Sequence, residues 1–337
     1  MTMGVPDGEV DLSVVIAAFD AAATLPEQLA ALAGQRTSCA WEVVLADNGS
    51  RDGTVNAALA FATRLPALRV VDASARRGPA AARNAGVRAA RGRHVVFCDA
   101  DDVVGEGWLQ AMHEALRRHD FVAGRLDGRR LNAPDVRASR TLPQSRGLQE
   151  SALLPGLWHA GAGNMGVRAD LFRRMGGFDE SARCLEDTDL CWRMGLVGVR
   201  LVYVEDAVVH ARLREGLRVT ARQGYQYGAG ERWLAERYAA VARAVTARPE
   251  RLAAVPDSGP PNGGAAARRP GPRPSAGRQV GRVLRRVSAI AAELARVRGR
   301  GDLQALCWST AWGLGFALGR GPQPVPVAIP PEESRAA

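Results

Sequence analysis

The first hundred residues alternate short, nearly continuous apolar runs with helical patterns, and few folds accept that alternation. Leu12–Ala17, Trp41–Ala46, Leu68–Val71 and His94–Cys98 have the length and β-branched content of strands. Helices are expected between them. Thr24-Leu-Pro-Glu27 has the form of a capping box opening a helix to about Gly34. Others are expected from about Thr54 to Leu65 and over Pro79–Ala90, with Asp47-Asn-Gly-Ser50 as a turn. Strands apolar on both sides and joined through helices predict an α/β fold, a mainly parallel, Rossmann-like sheet flanked by helices. In such sheets ligands bind beyond the carboxyl ends of the strands.

The later sequence is less regular. A helix over Glu106–Arg118, a strand Phe121–Gly124 and a loop-rich stretch to Leu148 are expected. They are followed by a short strand Asn164–Val167, a helix Ala169–Met175, a helix from about Glu186, a strand Arg200–Val204 and helix over roughly Gly216–Ala244. This divides the 337 residues into a sheet-bearing domain, 1–245, a Pro/Gly/Arg-rich linker, 246–279, expected to be disordered, a helical extension, 280–320, and a flexible tail, 321–337. In the extension Val280, Val283, Leu284, Val287, Ile290, Leu294 and Val297 recur at helical spacing among arginines, a basic amphipathic pattern. The uncharged stretch Leu303–Leu318 has 16 residues, short of the ~20 that a spanning helix needs, and is expected to lie at an interface or dock on the core.

Every one of the 45 basic residues is Arg, and 12 of them fall between Arg248 and Arg300 against three acids. With the charge excess of +10 concentrated there, a surface coated for nucleic acid is not expected. The basic helix and the stretch to 318 instead suit an anionic membrane surface. Five cysteines without a C-x-x-C pair, and a polar acidic start, predict a reduced compartment without a signal peptide. The expected location is cytoplasmic, peripheral at the inner face of the plasma membrane.

Chemistry concentrates in Val95-Val-Phe-Cys-Asp-Ala-Asp-Asp102, an apolar strand delivering carboxylates at its end. Strand alternation predicts Asp99 and Asp101 on one side, where a hard cation bridging a diphosphate takes carboxylate oxygens. Phe19, just past the first strand, suits stacking on a base, Asp47 suits accepting from base or ribose, and the Gly78 loop lets backbone approach closely. Gly161-Ala-Gly-Asn-Met-Gly166 fits the dinucleotide pattern G-x-G-x-x-G, but no strand precedes it, so a nicotinamide cofactor is not expected.

Taken in order, Ser13-Val-Val-Ile-Ala-Ala-Phe-Asp20, Val43-Val-Leu-Ala-Asp-Asn-Gly-Ser-Arg-Asp-Gly-Thr54, Gly78-Pro-Ala-Ala-Ala-Arg-Asn-Ala-Gly86, the acid cluster and Leu185-Glu-Asp-Thr-Asp-Leu-Cys-Trp-Arg193 resemble family 2 glycosyltransferases of the GT-A fold across roughly 11–215. The resemblance implies a metal-dependent inverting transferase that moves a sugar from a nucleotide-diphosphate donor to a hydroxyl acceptor, lipid-linked or on a cell-envelope glycan. It implies a donor site at Ala18, Phe19, Asp20, Asp47, Asn48, Gly78, Asn84, Asp99 and Ala100. Mg²⁺ or Mn²⁺ would be held by Asp99, Asp101 and His210, and Asp187 would be the base, with Glu186 as its alternate. Phe19-Asp20 stands where the family usually has Tyr-Asn, and Asp47-Asn48 where it has Asp-Asp. The second departure points from UDP-linked toward dTDP- or GDP-linked donors. Two other classes stay open on residues alone: a sugar nucleotidyltransferase, whose Gly-rich basic loop is missing at Ala17–Ala23, and a non-catalytic membrane-surface binder acting through the Arg-rich tail.

Overall fold

A computed structural model of the chain describes residues 2–3, 9–247 and 297–328. In chain order the strands are β1 (Thr2–Met3), β2 (Leu12–Ala18), β3 (Trp41–Asp47), β4 (Leu68–Asp72), β5 (His94–Asp99), β6 (Val103–Val104), β7 (Phe121–Asp127), β8 (Gln149–Glu150), β9 (Trp158–His159), β10 (Asn164–Arg168) and β11 (Val202–His210). The helices are α1 (Leu25–Ala33), α2 (Thr54–Leu59), α3 (Pro79–Ala89), α4 (Trp108–Leu116), α5 (Pro134–Ala138), α6 (Ala169–Arg174), α7 (Glu186–Leu196), α8 (Leu217–Arg237), α9 (Ala239–Ala247) and α10 (Arg300–Leu318). Among the described residues nine strands form one sheet in the order β1-β4-β3-β2-β5-β10-β7-β11-β6, and β8 and β9 pair separately. Strands β4, β3, β2 and β5 run parallel, whereas β10 is antiparallel to both neighbours, β5 and β7. The fold is the mixed α/β, GT-A-like architecture with a C-terminal helical part.

The parallel strands are apolar on both sides because both sides are covered. Leu12, Val14 and Ile16 pack with Leu25, Leu29, Trp108 and Leu109, while Val15, Val44 and Phe97 pack on the other side with Val87, Phe172 and Phe178. Gly86 lets α3 sit directly on β2, since a Cβ there would collide with the Val15 side chain. That contact brings the N-terminal half of α3, including Arg83, toward the carboxyl ends of β2 and β5.

Three expectations are corrected. The Thr24–Glu27 capping box does not form: Thr24 Oγ1 donates to Ala21 O, and the Glu27 carboxylate pairs with Arg212 at 2.8 Å. The strand expected over Arg200–Val204 begins at Val202 and continues to His210. A register shift between Val204 and Val208 carries Glu205 and Asp206 outward, and this break in alternation hides the second half. The helical region after Gly216 is broken at Tyr238 into α8 and α9. Residues 248–279 of the expected linker, most of the basic helix (280–296) and 329–337 lie outside the described residues.

The uncharged stretch docks on the core. α10 packs along α8 through small residues: a Cβ on Gly228 would meet the Trp312 carbonyl oxygen, and one on Gly315 the Tyr225 carbonyl. Arg232 caps the end of α10 by donating to Ala317 O at 3.0 Å. No helix among the described residues is long and apolar enough to cross a membrane. Overpacking this seam with Gly228→Leu is expected to cost about 1–3 kcal/mol and to strip amide-exchange protection from 300–318 first. Unchanged protection would contradict the close packing.

Candidate active site

Two carboxylate groups converge at the carboxyl edge of the sheet. The first is the end of β5. Beyond Asp99 the chain turns at once, with the Asp102 N–H directed to Asp99 O at 3.4 Å, so strand alternation does not position Asp101 and the turn does. Gln28 fixes this turn, its amide donating to Asp99 O at 3.1 Å and its carbonyl accepting from Val104 N at 2.9 Å. Burial, then the neighbouring Asp99, raises the pKa of Asp101; burial, Asp99 and Asp101 raise that of Asp102 further. Asp102 accepts from Arg212 N at 2.7 Å.

The second group heads α7. Leu185 adopts a left-handed conformation (φ 63°) that turns the chain into the helix and leaves Glu186 and Asp187 in its first turn. Asp187 Oδ2 accepts from Ala162 N at 3.1 Å and Oδ1 from Thr188 N at 2.7 Å. Burial raises its pKa against these hydrogen bonds and Arg83. The 161–163 turn runs between the two groups: a Cβ on Gly163 would lie 2.8 Å from Asp99 Oδ2, and one on Gly161 3.7 Å from Asp187 Oδ2.

Arg83 of α3 joins them. Its guanidinium donates to Asp99 Oδ1 at 2.7 Å and to Glu186 Oε1 at 2.8 Å, and its side chain is only 8% exposed. Burial works against its charge, and Asp99 and Glu186 more than offset that, raising its pKa. Burial and Asp187 hold the Glu186 carboxyl above its ordinary value even so. Glu186 is thus committed to Arg83, while Asp187 keeps part of its surface open. Asp189 is fully buried, accepting from Arg193, Arg237 and Tyr238, and locks α7 to the end of α8.

Several expected donor residues line the neighbouring strand ends. Register pairs Ala18 with Asp47 and Ala17 with Asp99, so Asp47 and Asp99 flank β2, roughly 10 Å apart from the strand spacing. Phe19 is 50% exposed beside Asp20, with Arg77 over its ring at 4.8 Å. Asp20 and Asp47 each also accept from backbone of the 49–51 turn. Ala100 is buried in the core below.

Two amides are occupied otherwise. Asn48 donates to Ala73 O and Arg76 O and accepts from Gly78 N, which holds the loop before α3, where Gly78 has φ 125°. Asn84 bonds the backbone of Phe178 in both directions and Glu180. Since Asn48 spends its amide on backbone, its departure from the family's Asp carries no statement about the donor base.

The oxygen donors Asp99 and Asp101 fit a hard divalent cation, whose charge would offset the burial of Asp101 and its repulsion by Asp99. His210 does not join them. Among the described residues no group of three or more His, Cys, Asp or Glu side chains is gathered to hold a metal. Its imidazole, whose pKa burial and Arg130 lower, stands among Arg125, Arg129, Arg130 and Asp127. Two carboxylates suffice for Mg²⁺ or Mn²⁺ when phosphate oxygens complete the shell.

The chain is similar to the pre-mycofactocin glycosyltransferase of Mycobacterium tuberculosis, 33% identical over 168 residues, which are 48% of this chain and 36% of that protein. It is 33% identical over 224 residues to the succinoglycan biosynthesis protein ExoO of Rhizobium meliloti, covering 61% of this chain and 62% of that one. The match thus spans less than two thirds of either relative. Among solved structures, the mannosyltransferase PcManGT from Pyrobaculum calidifontis, in complex with GDP-Man and Mn²⁺, superposes with a TM-score of 0.58 at 18% identity over 94% of this chain and 89% of that one, a likeness of fold. The family model for glycosyl transferase family 2 matches residues 13–176, and over that segment the chain is similar to that family.

Proposed function

We propose that this chain is an inverting glycosyltransferase that uses a nucleotide-diphosphate sugar. One observation carries the reading: Arg83 and the 161–163 turn bring the Asp99 end of β5 and the Asp187 head of α7 together at the carboxyl edge of the sheet, which also carries an exposed aromatic, Phe19. Phe19 and Asp47 receive base and ribose, and the diphosphate lies toward Asp99. Asp99 and Asp101 would hold Mg²⁺ or Mn²⁺, which supplies Lewis-acid charge for the leaving diphosphate. Asp187 takes the proton from the acceptor hydroxyl as its oxygen bonds to the anomeric carbon and the bond to the diphosphate breaks. The mannosyltransferase with bound GDP-Man supports a donor of this class and the relative named for succinoglycan biosynthesis a glycan product; the acceptor in this reading is a cell-envelope or lipid-linked glycan. Exposed Leu314 and Leu318 on α10 suit placement against a membrane surface.

The test is release of nucleoside diphosphate from GDP-, dTDP- and UDP-sugars with Mn²⁺, and the anomeric configuration of the product. Release from none of them, or retention of configuration, contradicts the proposal. The raised pKa of Asp187 sets a sign for pH dependence. The base form appears only above that pKa, so kcat/KM is expected to fall with decreasing pH at values above the ordinary carboxylate pKa of about 3.9. An acid limb at or below that value would contradict the assignment.

A further inference from the structure

Helix α8 crosses the head of α7. A Cβ on Gly230 would lie 3.2 Å from the Cys184 carbonyl oxygen and 3.3 Å from the Leu185 side chain, just before Glu186 and Asp187. Tyr227 lies one turn earlier on the same side of α8 and is 37% exposed. Burial raises its pKa, as does the field of nearby groups that include Asp187, Glu186 and Asp99. The phenol ring packs on Trp308 of α10, with centroids 5.3 Å apart, and the Arg140 guanidinium lies 5.1 Å from the centroid of the Trp308 ring.

Among the described residues Arg140 has no acidic partner. Its hydrogen-bond partners are neutral, Gln223 Oε1 at 3.1 Å and the Arg214 carbonyl at 2.5 Å, and its buried Nε has no partner. Burial lowers its pKa, and the Arg214 charge acts in the same direction. The chain links this pair to the acid turn: Arg212, two residues before Arg214, donates to Asp101 O at 2.9 Å, and Arg140 donates to the Arg214 carbonyl. A half-buried guanidinium paired only with neutral groups is poorly compensated, and an oxyanion ligand supplies the missing charge through paired N–H donors. The carboxylates of that turn repel an anion, which restricts its binding to the arginine end.

We propose that Arg140, with Arg214 and the Tyr227 hydroxyl, forms a subsite for the phosphate group of a phosphorylated acceptor, held so that the acceptor hydroxyl faces Asp187. The subsite rests on the transferase reading for its role but not for its binding chemistry. Trp308 of α10, outside the matched 13–176 segment, backs the subsite by packing against Tyr227 and Arg140.

Calorimetric titration of the full chain tests it, with dodecyl phosphate below its micelle concentration, glucose 1-phosphate, and dodecyl maltoside as the neutral control. Arg140→Gln is expected to weaken the phosphate probes about tenfold or more, the scale of a lost charged hydrogen bond. Arg140→Lys, which keeps the charge, should recover most of that loss, and binding of GDP and UDP with Mn²⁺ should stay unchanged in both. Preference for dodecyl phosphate identifies a lipid headgroup, and preference for glucose 1-phosphate a soluble sugar phosphate; either supports the subsite. Equal phosphate binding by wild type and Arg140→Gln overturns it, as does phosphate binding no tighter than that of dodecyl maltoside or parallel loss of nucleotide affinity. Wild-type protein that binds no nucleoside diphosphate but shows Arg140-dependent phosphate binding contradicts the transferase reading and leaves the subsite standing.

Discussion

Asp187→Asn is expected to lower sugar transfer by about 10²–10⁴-fold, the usual contribution of a positioned base, with donor-nucleotide affinity within about twofold of wild type. The substitution preserves shape and removes basicity. The new amide keeps an oxygen to accept from Ala162 N or Thr188 N, so the head of α7 stays in place. Glu186 does not rescue it, because its carboxylate is engaged by Arg83. Single-turnover transfer measured beside nucleotide titration separates the two quantities. Transfer within tenfold of wild type would remove Asp187 from the chemistry.

Arg83→Met is expected to be the most disruptive substitution at the cleft. It leaves Glu186 buried without a cation and frees Asp99 from its partner. Breaking a buried pair from one side costs about 3–5 kcal/mol; the Asp99 part is screened because that side chain is 37% exposed. The sign with pH follows from Glu186. Without Arg83 its folded pKa rises further above the unfolded value of about 4.3, so the variant gains stability when the carboxyl takes a proton and loses it as pH rises through the folded pKa. Denaturant unfolding at pH 5 and pH 8 should therefore show the larger deficit relative to wild type at pH 8. An equal deficit at both pH values would mean that Glu186 is not the stranded charge.

Much of the fold was legible because strand and helix periodicities stand alone through the first hundred residues. All four expected strands there form, each extended to the acid or small residue at its carboxyl end. What hid from the sequence were contacts made at a distance. Arg83 looks like any of 45 arginines until α3 is seated on β2 through Gly86 and the side chain is carried into the cleft. Thr24 and Glu27 satisfy the capping pattern, yet Glu27 pairs with Arg212, 185 residues away. Asn48 and Asn84 lie in stretches that resemble the family's donor site, but three-dimensional neighbours assign both amides to holding loops. His210 ends β11, beyond the expected end at Val204, and only pairing with β7 puts it opposite Asp127. Arg77, over the Phe19 ring, was reachable in principle as a cation next to Gly78, but nothing local distinguishes it from Arg76.

The most direct test of the central claim is titration of GDP, dTDP and UDP, with and without Mn²⁺, into wild type and Asp101→Ala. The account predicts that Mn²⁺ tightens binding of at least one nucleotide to wild type by about tenfold or more, and that Asp101→Ala loses this gain while keeping the metal-independent affinity. Wild-type affinity indifferent to Mn²⁺, or a full gain retained in Asp101→Ala, would contradict it.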